Sequence, residues 1–293
     1  MKPYEWMVKY TAQSEWIERR GILMWLAEVG SGLGAGLYLI SLFFDNLLGM
    51  FLGWLMIIVL KGGFHLAYLG KPLRFWRIIL KPVTSWMSRG FIFMVLFLGF
   101  GAIQLALSYW IPAATAAVIT FKVLTGVSAF LLIIYTGFVM NYVNGIPFWN
   151  SALLPLLFVL SGALDGSGLI IAIGLFGSNV DITVAETLSR MLLIGTAVVI
   201  AIYLWSGTYM GPAGKEAVIR LVRGSIAPVL WVGVVVCGII IPVVISVSTY
   251  FIGEMSSGLL LLGIAGETVG AFSLKYSILK AGVYSPLIPA NVY

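Results

Sequence analysis

Long apolar runs follow one another along almost the whole chain, and they constrain its fold more than any other feature. A helix that crosses the hydrocarbon core of a bilayer needs about 20 mostly apolar residues. Eight runs reach that length, at residues 22–44, 47–69, 91–111, 115–140, 152–176, 187–209, 226–252 and 256–280. Only 10% of the 293 residues are charged, which leaves too little polar chain for a soluble domain. The sequence therefore predicts an all-α integral membrane protein, an eight-transmembrane-helix bundle.

Basic residues concentrate in alternate connections between these runs. They lie in an N-terminal segment at residues 1–20, in an interfacial loop at residues 70–90 and in the sixth connection: Lys2, Lys9, Arg19, Arg20, Lys71, Arg74, Arg77, Lys81, Arg89, Lys215, Arg220 and Arg223. The opposite side shows Asp45, Asp181, Glu186, Arg190 and Glu254. Because cytoplasmic loops carry the excess of lysine and arginine, we expect a multi-pass protein of the cytoplasmic (inner) cell membrane with both termini cytoplasmic. The transmembrane domain then covers residues 21–281, and residues 282–293 form a C-terminal tail.

The interfacial loop mixes cations with aromatic and aliphatic residues in the run GKPLRFWRIILKPVTSWMSRG. Pro72 is placed to open a short interfacial helix and Pro82 to end it, with Trp76 and Trp86 at headgroup depth. Two interpretations stay open: a lipid-facing anchor, or a docking surface for an acidic or cofactor-bearing partner.

The chain has one cysteine, Cys237, and one histidine, His65. It therefore supplies neither a disulfide nor the ligands of an iron–sulfur cluster, and it lacks the second imidazole of a bis-histidine haem. We predict no haem, no iron–sulfur cluster and no other metal site in this chain.

Several charged residues fall inside or near the apolar runs: Glu28, Lys61, Lys122, Asp165, Glu267 and Lys275. A charge at the bilayer centre costs about 2.5–3.5 kcal/mol on insertion scales, so each needs a partner or a function. Lys122 and Lys275 are placed to extend their side chains to the interface. Asp165 and Glu267 lie near the middle of their runs, where they form either a structural pair or part of a proton-conducting path.

Glu28, His65 and Tyr135 are expected at one level near the basic side of the bundle. Lys61 and His65 are four residues apart, so they share one face of the second helix. The first helix also carries a glycine run, GSGLGAGLYL. This run either packs against neighbouring helices or admits the flat ring of a quinone.

Three stretches, taken together, resemble the polysulfide reductase membrane-subunit family (NrfD/PsrC), to which the dimethyl sulfoxide reductase anchor is related. They are the glycine run, HLAYLGKPLRFWRIILKPVTSWMSRG and YTGFVMNYVNGIPFWNSALLPLLFVLSGA. The resemblance covers nearly the whole chain. It implies an eight-helix, quinone-reactive subunit of a respiratory oxidoreductase, which exchanges electrons with a ferredoxin-like iron–sulfur subunit wired to a catalytic subunit, often a molybdopterin enzyme. Membrane lipid and quinone complete the expected partners, and no nucleic acid is expected.

The resemblance also implies a site for menaquinone or ubiquinone. By position, the quinone-binding residues are His65, Tyr135 and Glu28, with Arg74 and Lys71 at the pocket mouth. Quinol oxidation releases protons as well as electrons, so His65 and Glu28 are the expected catalytic residues. A proton path would use Lys61, Asp165, Glu267 and Lys275, and the partner would dock on Arg74, Arg77, Lys81 and Arg89. Some relatives carry histidine or asparagine near the start of the first helix, where this chain has Trp25 and Glu28.

Two other functions compete with this one. A proton-coupled secondary transporter would also use intramembrane acids, but such proteins usually show an internal repeat, and the HLAYLGKP region has no counterpart in the second half. An electron-inert membrane anchor would leave His65 remote from Tyr135 and Glu28.

Overall fold

The computed structural model describes residues 7, 9–252 and 256–287, and this part of the chain is almost entirely helical. Lys2 and Glu254 lie outside the described residues. The helices are α1 (Gly21–Phe43), α2 (Leu47–Tyr68), α3 (Trp86–Trp110), α4 (Thr115–Asn141), α5 (Leu153–Leu175), α6 (Ile182–Gly207), α7 (Gly211–Val222), α8 (Val229–Ile240 continued by Ile241–Ile252) and α9 (Ser257–Ala281). All except α7 are long and apolar enough to cross a membrane. The predicted eight-helix integral membrane fold is confirmed.

Helices α1 and α5 form the centre of the bundle. In their most apolar windows, 72% and 61% of residues are buried, against 22–33% in the other six spanning helices. The glycines of α1 allow this central packing, because a Cβ on Gly36 would overlap the carbonyl of Gly162 in α5, and one on Gly34 would lie 2.9 Å from the carbonyl oxygen of Gly53 in α2. Small residues let helix backbones approach closely. The glycine run is thus a packing face, occupied by α2 and α5.

Two spanning helices contain π-helical segments. In α2 the segment is Ile57–Gly62, and in α8 it is Val229–Ile240. A π turn holds one extra residue per turn and so changes which side chains face the neighbouring helix. Lys61 lies in the α2 segment, so its direction is not the one that regular α-helical spacing gives.

The interfacial loop contains a 3-10 helix, Pro72–Leu80, with Pro72 at its start. Helix α3 begins at Trp86, before the predicted residue 91, and Ser85 caps it by accepting a hydrogen bond from the amide of Ser88. Trp76 is half exposed, but Trp86 stacks on Phe138 of α4 at 4.6 Å between ring centroids. Trp86, expected at headgroup depth, is thus packed against the bundle at the start of α3.

Two further differences concern α6 and α7. Helix α6 begins at Ile182, earlier than the predicted residue 187, because Asp181 accepts a hydrogen bond from the amide of Val184 and so caps an extra turn. The sixth connection, identified in the sequence by its basic residues and without a predicted helix, contains α7.

Both described termini lie at one end of the bundle, which we call the basic end. Thr11–Ala12 (β1) pairs antiparallel with Val283–Tyr284 (β2), and the amide of Gln13 donates to the carbonyl of Gly282 at 2.9 Å. An ion pair between Glu18 and Lys280 reinforces this contact. We call these contacts the terminal clasp. The 3-10 helix and α7 lie at the same end, because α2 and α6 both end there.

Lys122 lies at the opposite end of the bundle. It forms an ion pair with Asp45, in the turn between α1 and α2. Its charge is therefore matched by a carboxylate at the end of the bundle.

Candidate functional site

A buried ion pair joins α1 and α2 near the basic end. The Nζ of Lys61 lies 2.8 Å from Oε1 of Glu28, and Lys61 is 1% exposed. The helices approach closely here because Gly30, two residues after Glu28, packs against Leu60. Desolvating both charges is expensive, so a buried pair contributes little net stability and its presence suggests another role.

Tyr135 and His65 complete this group, which we call the basic-end cluster. The Nζ of Lys61 lies 4.9 Å from the centroid of the Tyr135 ring. That ring fits against α3 because Gly90 leaves the space, and a Cβ there would collide with it. The Nδ1 of His65 lies 2.9 Å from the carbonyl oxygen of Lys61. Glu28, His65 and Tyr135 are thus brought together around Lys61.

The hydrogen bond of His65 sets its tautomer. A carbonyl oxygen only accepts hydrogen bonds, so Nδ1 carries the proton in the neutral imidazole and Nε2 keeps a lone pair. His65 is half-buried at the end of α2, whereas Glu28, Lys61 and Tyr135 are buried. The cluster therefore presents a proton-accepting nitrogen on its more accessible side.

Two further buried oxygen atoms belong to the cluster, Oε2 of Glu28 and Oγ1 of Thr136. The Thr136 hydroxyl interacts with the Glu28 carboxylate, and Oε2 has no second donor among the described residues. A carboxylate oxygen can accept more than one hydrogen bond, so Oε2 can still accept one from a bound water or ligand. Sequence reasoning missed Thr136, although its position next to Tyr135 in YTGF was the available signal.

A quinone fits this donor and acceptor set. Its headgroup needs a donor for each carbonyl oxygen, and the quinol form needs an acceptor for each hydroxyl. Lys61 supplies N–H donors, while Oε2 of Glu28 and Nε2 of His65 supply acceptors. The cluster therefore offers a donor to one carbonyl oxygen of a quinone and two acceptors to the hydroxyls of a quinol.

The basic residues of the interfacial loop are separate from the basic-end cluster. Lys71, Arg74, Arg77 and Lys81 are exposed, and within the described residues no hydrogen bond or ion pair joins Lys71 or Arg74 to the cluster. Arg89 is half-buried, and its guanidinium donates to the carbonyls of Pro82 (2.8 Å) and Val83 (2.6 Å).

The remaining intramembrane charges form a second group deeper in the bundle. Lys275 is 2% exposed, and its Nζ lies 3.3 Å from the carbonyl oxygen of Glu28, so the alternative that it extends to the interface is wrong. Lys275 and Asp165 both border Gly32, where a Cβ would overlap the amine and lie 3.5 Å from Oδ2 of the acid. Lys275 thus links the basic-end cluster to Asp165.

Comparison with known proteins identifies the family. The sequence matches the profile described as polysulphide reductase, NrfD, over residues 31–286. The chain belongs to the NrfD family. It is 30% identical over 171 residues to the C subunit of polysulfide reductase from Wolinella succinogenes, covering 56% of this chain and 52% of that protein, so the match spans about half the length of that relative. It is 26% identical over 248 residues to protein NrfD of Escherichia coli, covering 75% of this chain and 76% of that protein.

NrfD proteins are membrane subunits of respiratory oxidoreductase complexes, and this chain is accordingly a multi-pass membrane subunit of a multi-subunit redox assembly. The matched region contains Lys61, His65 and Tyr135 but begins after Glu28. Glu28 and Trp25 both lie in the part of α1 that precedes the matched region.

The structure distinguishes Trp25 from Glu28, which both lie in the first turns of α1. The indole N–H of Trp25 donates to the carbonyl of Phe272 at 3.0 Å, and its ring packs edge-on against Phe272 and Tyr276 of α9. Trp25 thus faces away from Lys61. Glu28 is the residue of α1 that reaches the basic-end cluster in this NrfD-family chain.

Proposed function

We propose that the chain is the quinone-reactive subunit of its complex. It would pass electrons between membrane quinone or quinol and an iron–sulfur subunit wired to a catalytic subunit, most simply a molybdopterin enzyme. The observation that supports this proposal is the buried Glu28–Lys61 pair, whose second carboxylate oxygen contacts only the Thr136 hydroxyl among the described residues, beside Nε2 of His65. The quinone, menaquinone or ubiquinone, supplies the two-electron chemistry when bound.

Each residue of the basic-end cluster has a distinct role in this proposal. His65 accepts a proton at Nε2, and Glu28 accepts one at Oε2, so both protons released on quinol oxidation have an acceptor. Lys61 donates a hydrogen bond to a quinone oxygen while its contact with Glu28 orients that carboxylate. Tyr135 holds the Lys61 amine over its ring face.

Partner docking is proposed on the interfacial loop. Arg74, Arg77 and Lys81 are exposed at the same end as the basic-end cluster, so an acidic iron–sulfur subunit bound there would lie close to the quinone. Lys71 and Arg74 would border the mouth of the site. Arg89 holds the loop in shape through its two carbonyl contacts.

The proposed proton path starts at the basic-end cluster. Lys275 lies against the backbone of Glu28 and borders Asp165, so the order Lys61, Lys275, Asp165, Glu267 follows the packing of α2, α9 and α5. By the positive-inside rule, the basic end would face the cytoplasm.

The test is quinol-dependent reduction of the iron–sulfur partner in the assembled complex. Variants Glu28→Gln and His65→Ala should lose roughly 100-fold or more of the rate, as removal of a general base does. The matched control is Glu216→Gln in α7, whose carboxylate pairs with Arg220 at the surface and which should retain the native rate.

Three outcomes would overturn the proposal. Native rates in both cluster variants would remove Glu28 and His65 from the site. A native complex that never reacts with quinol would indicate the electron-inert anchor, although the observed grouping of His65 with Glu28 and Tyr135 argues against that function. Proton-coupled solute uptake without electron transfer would indicate a transporter.

A further inference from the structure

Asp165 of α5 and Glu267 of α9 are buried acids that lie outside the proposed quinone site. Asp165 is 3% exposed and Glu267 is 8% exposed. Among the described residues, neither oxygen of Asp165 has a hydrogen-bond partner, and nor does Oε2 of Glu267. Three unpartnered acceptors in one region suggest a bound group that donates hydrogen bonds to them.

A small cavity lies between the two carboxylates. Its volume is about 20 Å³, and its lining includes Asp165, Glu267 and Thr196. Thr196 is 4% exposed, and its hydroxyl also has no partner within the described residues. One water needs about 10–15 Å³ and two to four polar contacts. The cavity meets both requirements.

The lining of this cavity comes from four helices, α5, α6, α8 and α9, and further charged residues lie near it. Glu28 is paired with Lys61, and Glu186 with Arg190 at 2.9 Å, so these two pairs are each neutral. Helix α8 contributes Val234, Gly238 and Ile239 to the lining, none of which is charged. The charges left to balance are those of Asp165, Glu267 and Lys275.

These three charges do not cancel. With both acids ionised and Lys275 protonated, the sum is one negative charge. A buried uncompensated charge costs several kcal/mol. Two neighbouring carboxylates avoid that cost by sharing one proton. Neutrality thus requires one additional proton at this pair.

A second cavity leads from Glu267 towards the opposite end of the bundle. Its volume is about 50 Å³, and its lining includes Glu186, Ser189, Gly263 and Glu267. The hydroxyl of Ser189 donates to Oε1 of Glu267 at 3.3 Å. Glu186 lies in the first turns of α6, where that helix begins. Glu267 therefore lines both cavities.

We propose that Asp165 and Glu267 share one exchangeable proton through a water bound to Thr196, and that this proton exchanges with the opposite end of the bundle through the cavity at Ser189. In one transfer, the O–H bond of the protonated carboxyl breaks, the water accepts that proton and gives one of its own to the other carboxylate, and no electron moves. The site rests on the proposed function, since Asp165 and Glu267 are the last two residues of the proposed proton path. It is tested separately from the quinone chemistry, because it would hold its proton in a chain that bound no quinone.

Infrared spectroscopy of the purified full-length chain, without quinone or partner, tests this directly. The native protein should show the C=O stretching band of a protonated carboxyl at neutral pH. Glu267→Gln leaves Asp165, which borders Gly32 together with Lys275 and ionises against that amine, so this variant should lose the band. The control Glu216→Gln should keep it. A native protein without the band, or a band that survives Glu267→Gln, would overturn the proposal.

Hydrogen–deuterium exchange of the same band tests the route. Gly263 lines the larger cavity and a Cβ there meets only ordinary contacts, 3.5 Å from Ile245, so Gly263→Leu should fill the space without disturbing the backbone. Exchange should slow by roughly tenfold, because the filled cavity no longer admits water. Gly258→Leu, on the exposed first turn of α9, is the matched control. Equal exchange rates in the two leucine variants would refute the route.

Discussion

At the scale of single residues, the candidate site depends on Lys61. Its amine pairs with Glu28, it lies over the ring of Tyr135, and its backbone carbonyl holds Nδ1 of His65. Three side chains from three helices are thus positioned by one residue in a π-helical segment. Substitution of Lys61 should therefore lower the stability of the protein as well as its activity.

Removing Lys61 alone should destabilise the protein strongly. Lys61→Met leaves the Glu28 carboxylate buried without a cation, at a cost of about 3–5 kcal/mol. Glu28→Gln combined with Lys61→Met removes both charges and should recover most of that loss. Equilibrium unfolding of the purified chain in detergent measures the cycle, and additive single effects would show that the two residues do not interact.

Sequence reasoning placed Glu28, His65 and Tyr135 at one level, because depth follows from counting residues along helices of known length. It did not place Lys61 at their centre or identify Thr136. Rotation about each helix axis decides which side chains meet, and that rotation depends on packing and on the π-helical turn of α2. For the same reason, sequence alone did not separate Glu28 from Trp25.

At the scale of helices, the close contact of α1 with α5 holds the centre of the bundle together. The glycine run that permits it was visible in the sequence, but its two interpretations could be separated only by the backbone contacts of Gly36 and Gly34. Some helix boundaries were missed because charged residues were assigned to connections. Pro212 near the start of α7 was the sequence signal for that helix.

Valine at Gly36 should disrupt the bundle. Its Cβ would overlap the carbonyl of Gly162, so α1 and α5 must separate, at a cost of about 1–3 kcal/mol or more. Gly99→Val in α3 is the control, because a Cβ there meets nothing within 4 Å. Thermal unfolding should show a lowered midpoint for Gly36→Val only, and equal midpoints would contradict the packing described.

The terminal clasp should loosen in acid. The ion pair with Lys280 holds the pKa of Glu18 below its usual range. A carboxyl with a lowered folded-state pKa stabilises the fold above its unfolded pKa, and that contribution is lost as the pH falls through the folded value. Limited proteolysis of the N-terminal segment should therefore accelerate in acid for the native chain. In the Glu18→Gln variant, the rate of proteolysis should change less with pH than in the native chain. The same pH dependence in both proteins would show that the Glu18–Lys280 pair does not cause the loosening.

At the scale of the whole molecule, the described termini, the interfacial loop and the basic-end cluster all lie at the basic end. The acids Asp165 and Glu267 lie deeper in the bundle. This polarity was predictable from the sequence, since alternate connections carry the cations. The link that Lys275 makes between the basic-end cluster and Asp165 was not predictable, because it depends on how α9 packs against α1.

Reversing charge on the interfacial loop should detach the partner. The double substitution Arg74→Glu with Arg77→Glu would repel an acidic iron–sulfur subunit and weaken its retention during purification by about tenfold or more at low salt. The difference from the native complex should shrink at high salt, which screens these charges. The control for net charge is Lys215→Glu with Arg223→Glu. Lys215 lies in α7 and Arg223 directly follows it, at the same end of the bundle. Equal loss in both would show that total charge, rather than the loop, retains the partner.

Photoaffinity labelling of the complex tests the proposed quinone site, using a quinone that carries a photoreactive group on its ring, followed by mapping of the labelled peptides. Label is expected on residues 57–68 of α2 or 128–141 of α4, and it should be lost when excess unlabelled quinone competes. Label confined to residues 182–193 of α6 and 257–267 of α9, at the opposite end, would place the quinone at the larger cavity and exclude the basic-end cluster as its site.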